Sequence, residues 1–495
     1  MGMTLAAATL MLGATAAAGT TNPPPCTELP CPADLATVER VLEEVSLHPS
    51  ITVTEEGRSA GGRPLYAVRI GRAGGDVAQR FLMVGQQHGD EPAGKDALLH
   101  LIARFADHPE LVPAGLELWI VPMANPDGAV AGRRRNDADA DLNRDHLLLS
   151  QPETRMLHGL ARRVRPEVVI DCHEFNRSSS EYLDRGWDEW PLIMMDTANH
   201  PLLPESVYRN GLAWLRVVAG EMDSAGIRYQ RYLVGGPPPD GELRPSTLEG
   251  DDARNGLAIA AGGLGFIIES GVRRASKDPQ GDIADRVTAY LSLLELFLSD
   301  PDFRQAAISA AAESRSLQLP EFVATNSFWG TVDPEPGVVR VVSRATGNVI
   351  DVPAPNLMTD RVFKRWVAMP RGYVIEAAVA DAYRELLDRH GIDFEVSQEP
   401  TTSTVEACRL DRTETTPDEV YERYPGRQIT SCRPASAREF ASGSLMVHLE
   451  PATWRSTVAL LEPTLLYGLY QYDEFQATVA DDGTIPVWRI VSPGL

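Results

Sequence analysis

The 495-residue sequence has little positive charge, few cysteines and almost no long apolar run, and these shortages narrow what the protein can be. Its 46 lysines and arginines face 69 aspartates and glutamates, which leaves a formal net charge of −23. Nucleic acids and anionic membranes attract basic surfaces, so this balance argues against both as partners. Beyond residue 25 no apolar run is long enough for a transmembrane helix. The sequence also lacks internal repeats and low-complexity tracts.

The N-terminal segment has its own character. Residues 1–22 carry no charged side chain, and residues 5–18 form an alanine-rich apolar run that ends in small side chains. This run has the length of a signal-peptide core and is too short to span a bilayer well. We therefore expect residues 1–25 to be a signal peptide and linker. The mature protein would be secreted or periplasmic in a bacterium, with no membrane attachment after cleavage.

The five cysteines suit an exported protein. Cys26 and Cys31 form one candidate disulfide pair and Cys408 and Cys432 another, and a crossed pairing is equally open. Cys172 lies in an apolar run, where we expect a buried and inert thiol.

The length of the chain favours two domains. Apolar strand patterns alternate with helical ones up to about residue 300. Strands that are apolar throughout, separated by helices, predict an α/β fold whose sheet is covered on both faces. Beyond residues 300–320 the pattern changes to short strands with Gly and Pro turns. We therefore predict a first domain at residues 26–305 and a smaller β-rich or α+β domain at residues 320–495.

Residues 81–94, FLMVGQQHGDEPAG, are typical of a buried strand that leads into a helix. His88 and Glu91 stand between the two elements, and an imidazole and a carboxylate three residues apart suit a tetrahedral zinc site. The alternative is that Asp90 and Glu91 only cap the helix that begins at Pro92.

Two later apolar strands end in groups of related chemistry, His173 and Glu269. Ligands of open α/β sheets bind at the carboxyl ends of the strands. The shared position favours a zinc ion held by His88, Glu91 and His173 over unrelated helix caps. Three protein ligands leave a place for water, whose pKa zinc lowers to about 7, and Glu269 is the candidate general base.

Two basic motifs complete the predicted chemistry. The arginines at 133–135 can stabilise an oxyanion, and Asn143 with Arg144 can clamp a free carboxylate. The alternating aspartates of residues 137–141 mimic the start of an EF-hand, but the later Gly and Glu of that loop are missing, so we exclude a calcium site. These groups together describe hydrolysis of an amide bond beside a terminal carboxylate.

The order of these motifs resembles the zinc carboxypeptidase (funnelin) family over roughly residues 35–300. HGDEPAG looks like its first ligand motif, and RRN followed by DLNR is similar to its arginine-containing motifs. The resemblance implies a mixed, mostly eight-stranded sheet between helices and one zinc ion per chain. It also implies Arg134 as the oxyanion group and Glu269 as the base. Asn143 and Arg144 would then bind the C-terminal carboxylate of a peptide substrate.

The sequence departs from the family where many members carry a tyrosine about twenty residues before the base. Thr247 stands there instead, while Tyr229 and Tyr232 lie well upstream. Either the loop at residues 235–254 is remodelled, or the missing hydrogen bond comes from elsewhere, with Arg254 or Asn255 as candidates. The C-terminal region resembles an accessory module of some bacterial members.

The combined prediction is a zinc metallocarboxypeptidase that hydrolyses the C-terminal peptide bond through a zinc-bound water activated by Glu269. Two alternatives stay open. One is an amidase of murein peptides or N-acyl amino acids that uses the same zinc site. The other is a non-catalytic module that binds peptide carboxylates.

Overall fold

The computed structural model describes residues 31–71, 76–245, 248–273, 278–316, 318–330, 337–414 and 427–491. The predicted signal peptide, Cys26 and Thr247 lie outside these residues. Among the helices of the described ranges, none combines the length and the apolar character that a membrane span requires.

The first part of the chain alternates strands and helices, as predicted. Its strands are β1 (Ile51–Arg58), β2 (Pro64–Ile70), β3 (Gln79–Gly85), β4 (Leu116–Val121), β5 (Val168–Asn176), β6 (Trp187–Glu189), β7 (Ile193–Thr197), β8 (Tyr229–Arg231), β9 (Val234–Gly235), β10 (Leu243–Arg244) and β11 (Leu264–Val272). Its helices are α1 (Leu35–Val45), α2 (Pro92–Asp107), α3 (Pro126–Ala131), α4 (Pro152–Val164), α5 (Ser180–Asp184), α6 (Glu205–Ser224), α7 (Ala253–Ala261), α8 (Pro279–Ser299) and α9 (Pro301–Ser314).

Eight of these strands form one mixed sheet in the order β1-β2-β4-β3-β5-β11-β7-β8, which confirms the predicted fold class. The central strands β4, β3, β5 and β11 run parallel, whereas β2 and β7 run antiparallel to their neighbours β4 and β11. The carboxyl ends of β3, β5 and β11 therefore lie side by side at one edge of the sheet.

The two faces of this sheet bury separate apolar cores. Phe81 and Met83 of β3 belong to the core shared with α2, α6 and α8, whereas Leu82 and Val84 belong to the core shared with α4 and α7. This alternation along one strand explains why the sequence of β3 is apolar throughout, since both of its faces are covered.

Two helices of the first part call for a closer description. Helix α3 begins directly after Asn125, because the Asn125 side chain accepts a hydrogen bond from the Gly128 N–H and caps the first turn. The segment around residues 300–320, where we placed the domain boundary, contains helix α9, whose Phe303 packs in the first core. The division at residues 305 and 320 itself stays a prediction.

The C-terminal part is rich in short strands. They are β12 (Phe322–Gly330), β13 (Gly337–Ser343), β14 (Val349–Ala354), β15 (Asp360–Ala368), β16 (Gly372–Ile375), β17 (Glu395–Val396), β18 (Thr401–Glu406), β19 (Cys408–Glu414), β20 (Arg427–Cys432), β21 (Ser436–Phe440), β22 (Leu445–His448) and β23 (Val487–Ile490). The helices are α10 (Ala380–His390), α11 (Trp454–Leu461) and α12 (Asp473–Gln476).

Several contacts join the two parts of the chain. Strand β6 of the first part pairs with β13, and Leu147 and Leu202 pack in the C-terminal core. Cys408 and Cys432 form a disulfide between the paired strands β19 and β20, so this one of the open pairings is observed.

Candidate metal centre

The turn that follows β3 places His88 at the edge of the sheet. Gln86 adopts a left-handed φ of 53°, and its side-chain amide donates a hydrogen bond to the Gly89 carbonyl at 2.8 Å, which holds the turn. Gly89 lies against the backbone of Gly128, where an added Cβ would come within 2.0 Å of a backbone carbon. Only glycine fits this position, so the backbone around His88 is closely fixed.

Three of the predicted residues bring their ligand atoms to one point. His88 Nδ1 lies 2.8 Å from Glu91 Oε1, and His173 Nδ1 lies 3.0 Å from both Glu91 Oε2 and His88 Nδ1. In tetrahedral zinc sites, ligand atoms about 2.0–2.1 Å from the metal lie about 3.3 Å from one another. The observed separations are close to that value, and the three side chains are buried.

The outer nitrogen of each imidazole faces a carboxylate. His88 Nε2 lies 3.2 Å from Asp141 Oδ1, and His173 Nε2 lies 2.7 Å from Asp171 Oδ2. A carboxylate accepts hydrogen bonds, so in the neutral imidazoles the proton sits on Nε2 and each Nδ1 presents a lone pair. Two imidazole nitrogens and a carboxylate oxygen thus converge on one point, where they can bind a cation together. The donor set therefore fits zinc.

Glu91 does not act as a helix cap. This observation favours the metal-ligand interpretation of the His88–Glu91 motif over the helix-cap interpretation. Glu91 occupies the N-cap position of α2 but makes no side-chain cap hydrogen bond. Its Oε2 instead accepts a hydrogen bond from the Glu174 N–H at 3.0 Å, and the Glu174 carboxylate accepts from the Ala93 N–H in the first turn of α2. Burial raises the pKa of Glu91, but the facing imidazoles outweigh it and leave that pKa lowered. Glu91 is thus an anion aimed at the imidazoles.

Glu269 lies beside the cluster. It pairs in register with His173 across the parallel strands β11 and β5, whose backbones are about 4.8 Å apart. The side chain is buried, and its Oε2 has no hydrogen-bond partner among the residues that the structure describes. Burial raises the pKa of Glu269 to about 8, against the opposing effect of His173. A carboxylate with a pKa near neutrality can both take up and release a proton.

Arg134 is the arginine of the 133–135 cluster that reaches the site. Its Nε donates to Asp141 Oδ2 at 2.9 Å, and its Nη1 lies 3.0 Å from His88 Nδ1. Arg133 and Arg135 turn away and bond to the carbonyls of Asn136 and Asp139. Arg134 therefore places a positive charge at the ligand cluster.

Asn143 and Arg144 lie in a short 3-10 turn, Leu142–Arg144, directly after Asp141. The Asn143 N–H donates to Asp141 Oδ1 at 3.0 Å, which ties this turn to His88. Asn143 Oδ1 accepts from the Ala253 N–H, and Arg144 Nη1 donates to the Asn143 carbonyl. Burial raises the pKa of Asp251 to about 7, while the nearby Arg144 guanidinium opposes that rise.

The two candidates for the missing tyrosine contact are both engaged elsewhere. Arg254 is fully buried and pairs with Asp196 and Asp252. Asn255 Nδ2 donates to the Glu249 carbonyl and to Asn199. Both residues thus brace the loop that leads into α7.

The contacts of Asp141 and Asp171 with the two imidazoles were not predicted from the sequence. Asp171 carried a usable signal, since it precedes His173 by two residues in a strand and so points to the same face. Asp141 lies inside the DLNR motif, but nothing in its sequence neighbourhood indicates contact with His88.

The fold and the site define an α/β protein with a buried His-Glu-His cluster, able to hold a metal ion, at the carboxyl edge of its sheet. Residues 38–179 match the family model described as Zinc carboxypeptidase. The matched residues include His88, Glu91 and His173 and end before Glu269.

Curated relatives match over part of their length. Carboxypeptidase 2 of Trichophyton tonsurans is 24% identical over 187 residues, which cover 37% of this chain and 35% of that protein. Carboxypeptidase SOL1 of Arabidopsis thaliana is 32% identical over 135 residues, which cover 24% of this chain and 28% of that protein. The chain thus spans about a third of the length of the curated relatives it matches.

Solved structures also align with part of this chain. A metallo-carboxypeptidase from Burkholderia cenocepacia aligns with a TM-score of 0.41 at 18% identity, covering 57% of this chain and 70% of that one. A metallo-carboxypeptidase from Pseudomonas aeruginosa, in complex with (2-guanidinoethylmercapto)succinic acid, aligns with a TM-score of 0.41 at 22% identity, covering 53% and 68%.

Proposed function

We propose that the chain is a zinc-dependent metallocarboxypeptidase, which hydrolyses the C-terminal bond of peptides with a free carboxylate. The observation that carries this proposal is the convergence of His88 Nδ1, His173 Nδ1 and Glu91 on one point, with Glu269 in register beside His173. A protein that only bound peptides would have no need to bury an unpaired carboxylate at that point.

His88, Glu91 and His173 would hold one zinc ion per chain. When bound, zinc supplies positive charge that polarises the scissile carbonyl and lowers the pKa of a water molecule to about 7. Asp141 and Asp171 keep the two imidazoles in the tautomer that presents Nδ1.

Glu269 acts as the general base and then as the general acid. Its Oε2 takes a proton from the attacking water and passes that proton to the leaving amine nitrogen, so the enzyme ends the cycle unchanged. The raised pKa of about 8 favours the protonated form of Glu269, which the second step needs. A cation bound nearby would lower this pKa and so favour the ionised carboxylate that takes the proton in the first step.

Arg134 stabilises the oxyanion that forms as water attacks the carbonyl. Its Nε is fixed by Asp141, while about a third of the side chain is exposed (32%), so the guanidinium is accessible to a substrate.

Asn143 and Arg144 bind the terminal carboxylate of the substrate. A guanidinium and an amide on one short turn suit the two oxygens of a carboxylate. Because this turn is bonded to Asp141, the carboxylate is held at a fixed distance from the metal ligands.

The N-terminal segment supports export of the protein. The apolar pattern of residues 5–18 is typical of a signal peptide, so we propose secretion or a periplasmic location in a bacterium.

Peptides with free and amidated C-termini test this function. The purified protein should contain zinc, release the last residue only from the free peptide, and lose activity to a chelator until zinc is restored. Cleavage of cell-wall tripeptides or N-acyl amino acids in preference to peptides would favour the amidase alternative. Protein that binds peptides with zinc in place but releases no residue would contradict the proposed hydrolysis.

A further inference from the structure

A line of buried polar side chains leads from the ligand His173 away from the metal centre. His173 Nε2 lies 2.7 Å from Asp171 Oδ2, and Asp171 Oδ1 accepts a hydrogen bond from Gln87 Nε2 at 2.7 Å. Gln87 Oε1 lies 2.8 Å from His146 Nε2, and His146 Nδ1 lies 3.1 Å from His158 Nε2. None of the five side chains is more than 2% exposed. The line is therefore isolated from solvent.

The chemistry of these groups sets the direction of every hydrogen bond. The Asp171 carboxylate can only accept, so His173 Nε2 and the Gln87 amide nitrogen both donate to it. Gln87 Oε1 must then accept from His146 Nε2. His146 stays neutral, because burial lowers its pKa to about 3, and its Nδ1 accepts from His158 Nε2. With its proton on Nε2, neutral His173 presents the Nδ1 lone pair to Glu91.

The far end of the line meets the C-terminal part of the chain. The ring of His390, the last residue of α10, packs against the ring of His158 with centroids 5.7 Å apart. His390 Nε2 also donates to the carbonyl of Leu147 at 2.9 Å, next to His146. Arg389 donates to the carbonyl of Leu148 at 3.2 Å. Helix α10 thus holds the segment that carries His146.

We propose that Gln87 and His146 are positioning residues for His173, and that helix α10 holds the outer end of this line. Asp171 would otherwise bury one carboxylate oxygen without a donor, and a buried charged group without its hydrogen bonds is unfavourable. With both oxygens bonded, Asp171 has one orientation, and so does the imidazole that it holds. The inference rests on the proposed zinc site.

Zinc affinity separates positioning from a general loss of stability. His146→Ala and His200→Ala each remove one buried imidazole, since both residues are at most 2% exposed, but only His146 belongs to the line. The affinity for zinc is measured against a chromophoric chelator, and the visible spectrum is recorded after substitution with cobalt. We expect His146→Ala to lower zinc affinity about 10-fold and to change the cobalt spectrum. His200→Ala should leave both as in the wild type, with a similar loss of thermal stability.

Two further variants complete the test. His146→Gln keeps a donor at the position of Nε2 and should restore most of the lost affinity. Gln87→Met removes both amide contacts at similar volume, and it gives the same measurement if His146→Ala fails to fold. Wild-type protein that takes up no zinc would refute the zinc site itself. Zinc binding in the wild type, with unchanged affinity and cobalt spectrum in Gln87→Met and His146→Ala, would overturn the positioning role alone. An equal loss of affinity in His200→Ala would overturn it too.

Discussion

The metal centre and the C-terminal part each bury a glutamate, but only one of the two is fully bonded. Glu462 is 1% exposed, and its Oε2 accepts from the Tyr373 hydroxyl at 3.0 Å and from Arg489 Nε at 2.9 Å. Its Oε1 accepts from the backbone N–H and the hydroxyl of Thr464. Glu269 is 6% exposed, and its Oε2 has no hydrogen-bond partner within the described part of the chain.

This difference in hydrogen bonding indicates that Glu462 stabilises the fold, whereas Glu269 is available for chemistry. A buried carboxylate surrounded by donors stabilises the arrangement of those donors, and removing it leaves a buried cation short of a partner. A buried carboxylate without donors costs stability, and such groups are concentrated at reactive sites. The two glutamates should therefore respond in opposite ways to the same substitution.

Glu269→Gln should have the largest effect, and only on catalysis. The amide cannot take a proton from water, so we expect kcat to fall about 10²–10⁴-fold. Zinc content and thermal stability should be retained, because the lost charge had no hydrogen-bond partner at Oε2. Steady-state kinetics on a peptide with a free C-terminus, together with elemental analysis, check both points. A variant with wild-type kcat would show that another group is the base.

Glu462→Gln should destabilise the fold and leave kcat unchanged. Arg489 would lose one of two carboxylate partners and keep only Glu406, while it stays 4% exposed. Removing one partner of a buried ion pair costs about 3 kcal/mol. Urea unfolding followed by circular dichroism measures that loss. Equal stability of the variant and the wild type would remove the contrast between the two glutamates.

Asp141→Asn should weaken metal binding by a smaller factor. It withdraws the charge that His88 Nε2 and Arg134 Nε face, so we expect the Kd for zinc to rise about 10-fold. Asp137→Asn is the matched control, since Asp137 lies in the same segment but pairs with Arg63 and Arg133 away from the ligands. Competition with a chelator measures both. Equal affinities would show that Asp141 does not hold His88 in place for the metal.

The fold class and the position of the ligand groups could be predicted because their signals are local. His88 and Glu91 precede a helix, and His173 and Glu269 each follow an apolar run. Parallel strands bring such ends to one edge, so the sequence pattern alone indicates that they meet. The strand register adds what the pattern cannot show, that Glu269 stands directly opposite His173.

The supporting contacts could not be predicted in this way. Asp141 is one of three alternating aspartates that look alike in sequence, and its contact with His88 spans 53 positions. Gln87 and His146 are 59 positions apart. A hydrogen bond between single side chains at such distances leaves no periodic pattern, and only the packed fold selects the partner. The missing cap hydrogen bond at Glu91 is likewise visible only in the packed fold, although the strand ends already favoured a metal ligand there.

The smallest expected effect concerns the contact between the two parts of the chain, at His390. Burial lowers the pKa of His390 to about 4, with Arg162 and Arg389 adding to the effect and the bond to the Leu147 carbonyl opposing it. The ring of His158 faces it from α4. The unfolded chain takes up this proton near pH 6.5, whereas the folded chain does so only near pH 4.

His390 therefore contributes its full share of stability above pH 6.5 and loses it as the pH falls toward 4. The loss is about 1.4 kcal/mol per pH unit in that window. His390→Leu should lower the free energy of unfolding by about 1 kcal/mol at pH 7, through the lost hydrogen bond, and should make its fall with decreasing pH shallower by the same 1.4 kcal/mol per unit. Urea unfolding at several pH values between 7 and 4.5 measures the slopes, with His448→Leu, at an exposed position of the same part, as the control. Parallel slopes for His390→Leu and the wild type would mean that His390 takes up its proton without unfolding, and that the two parts do not seal it from water.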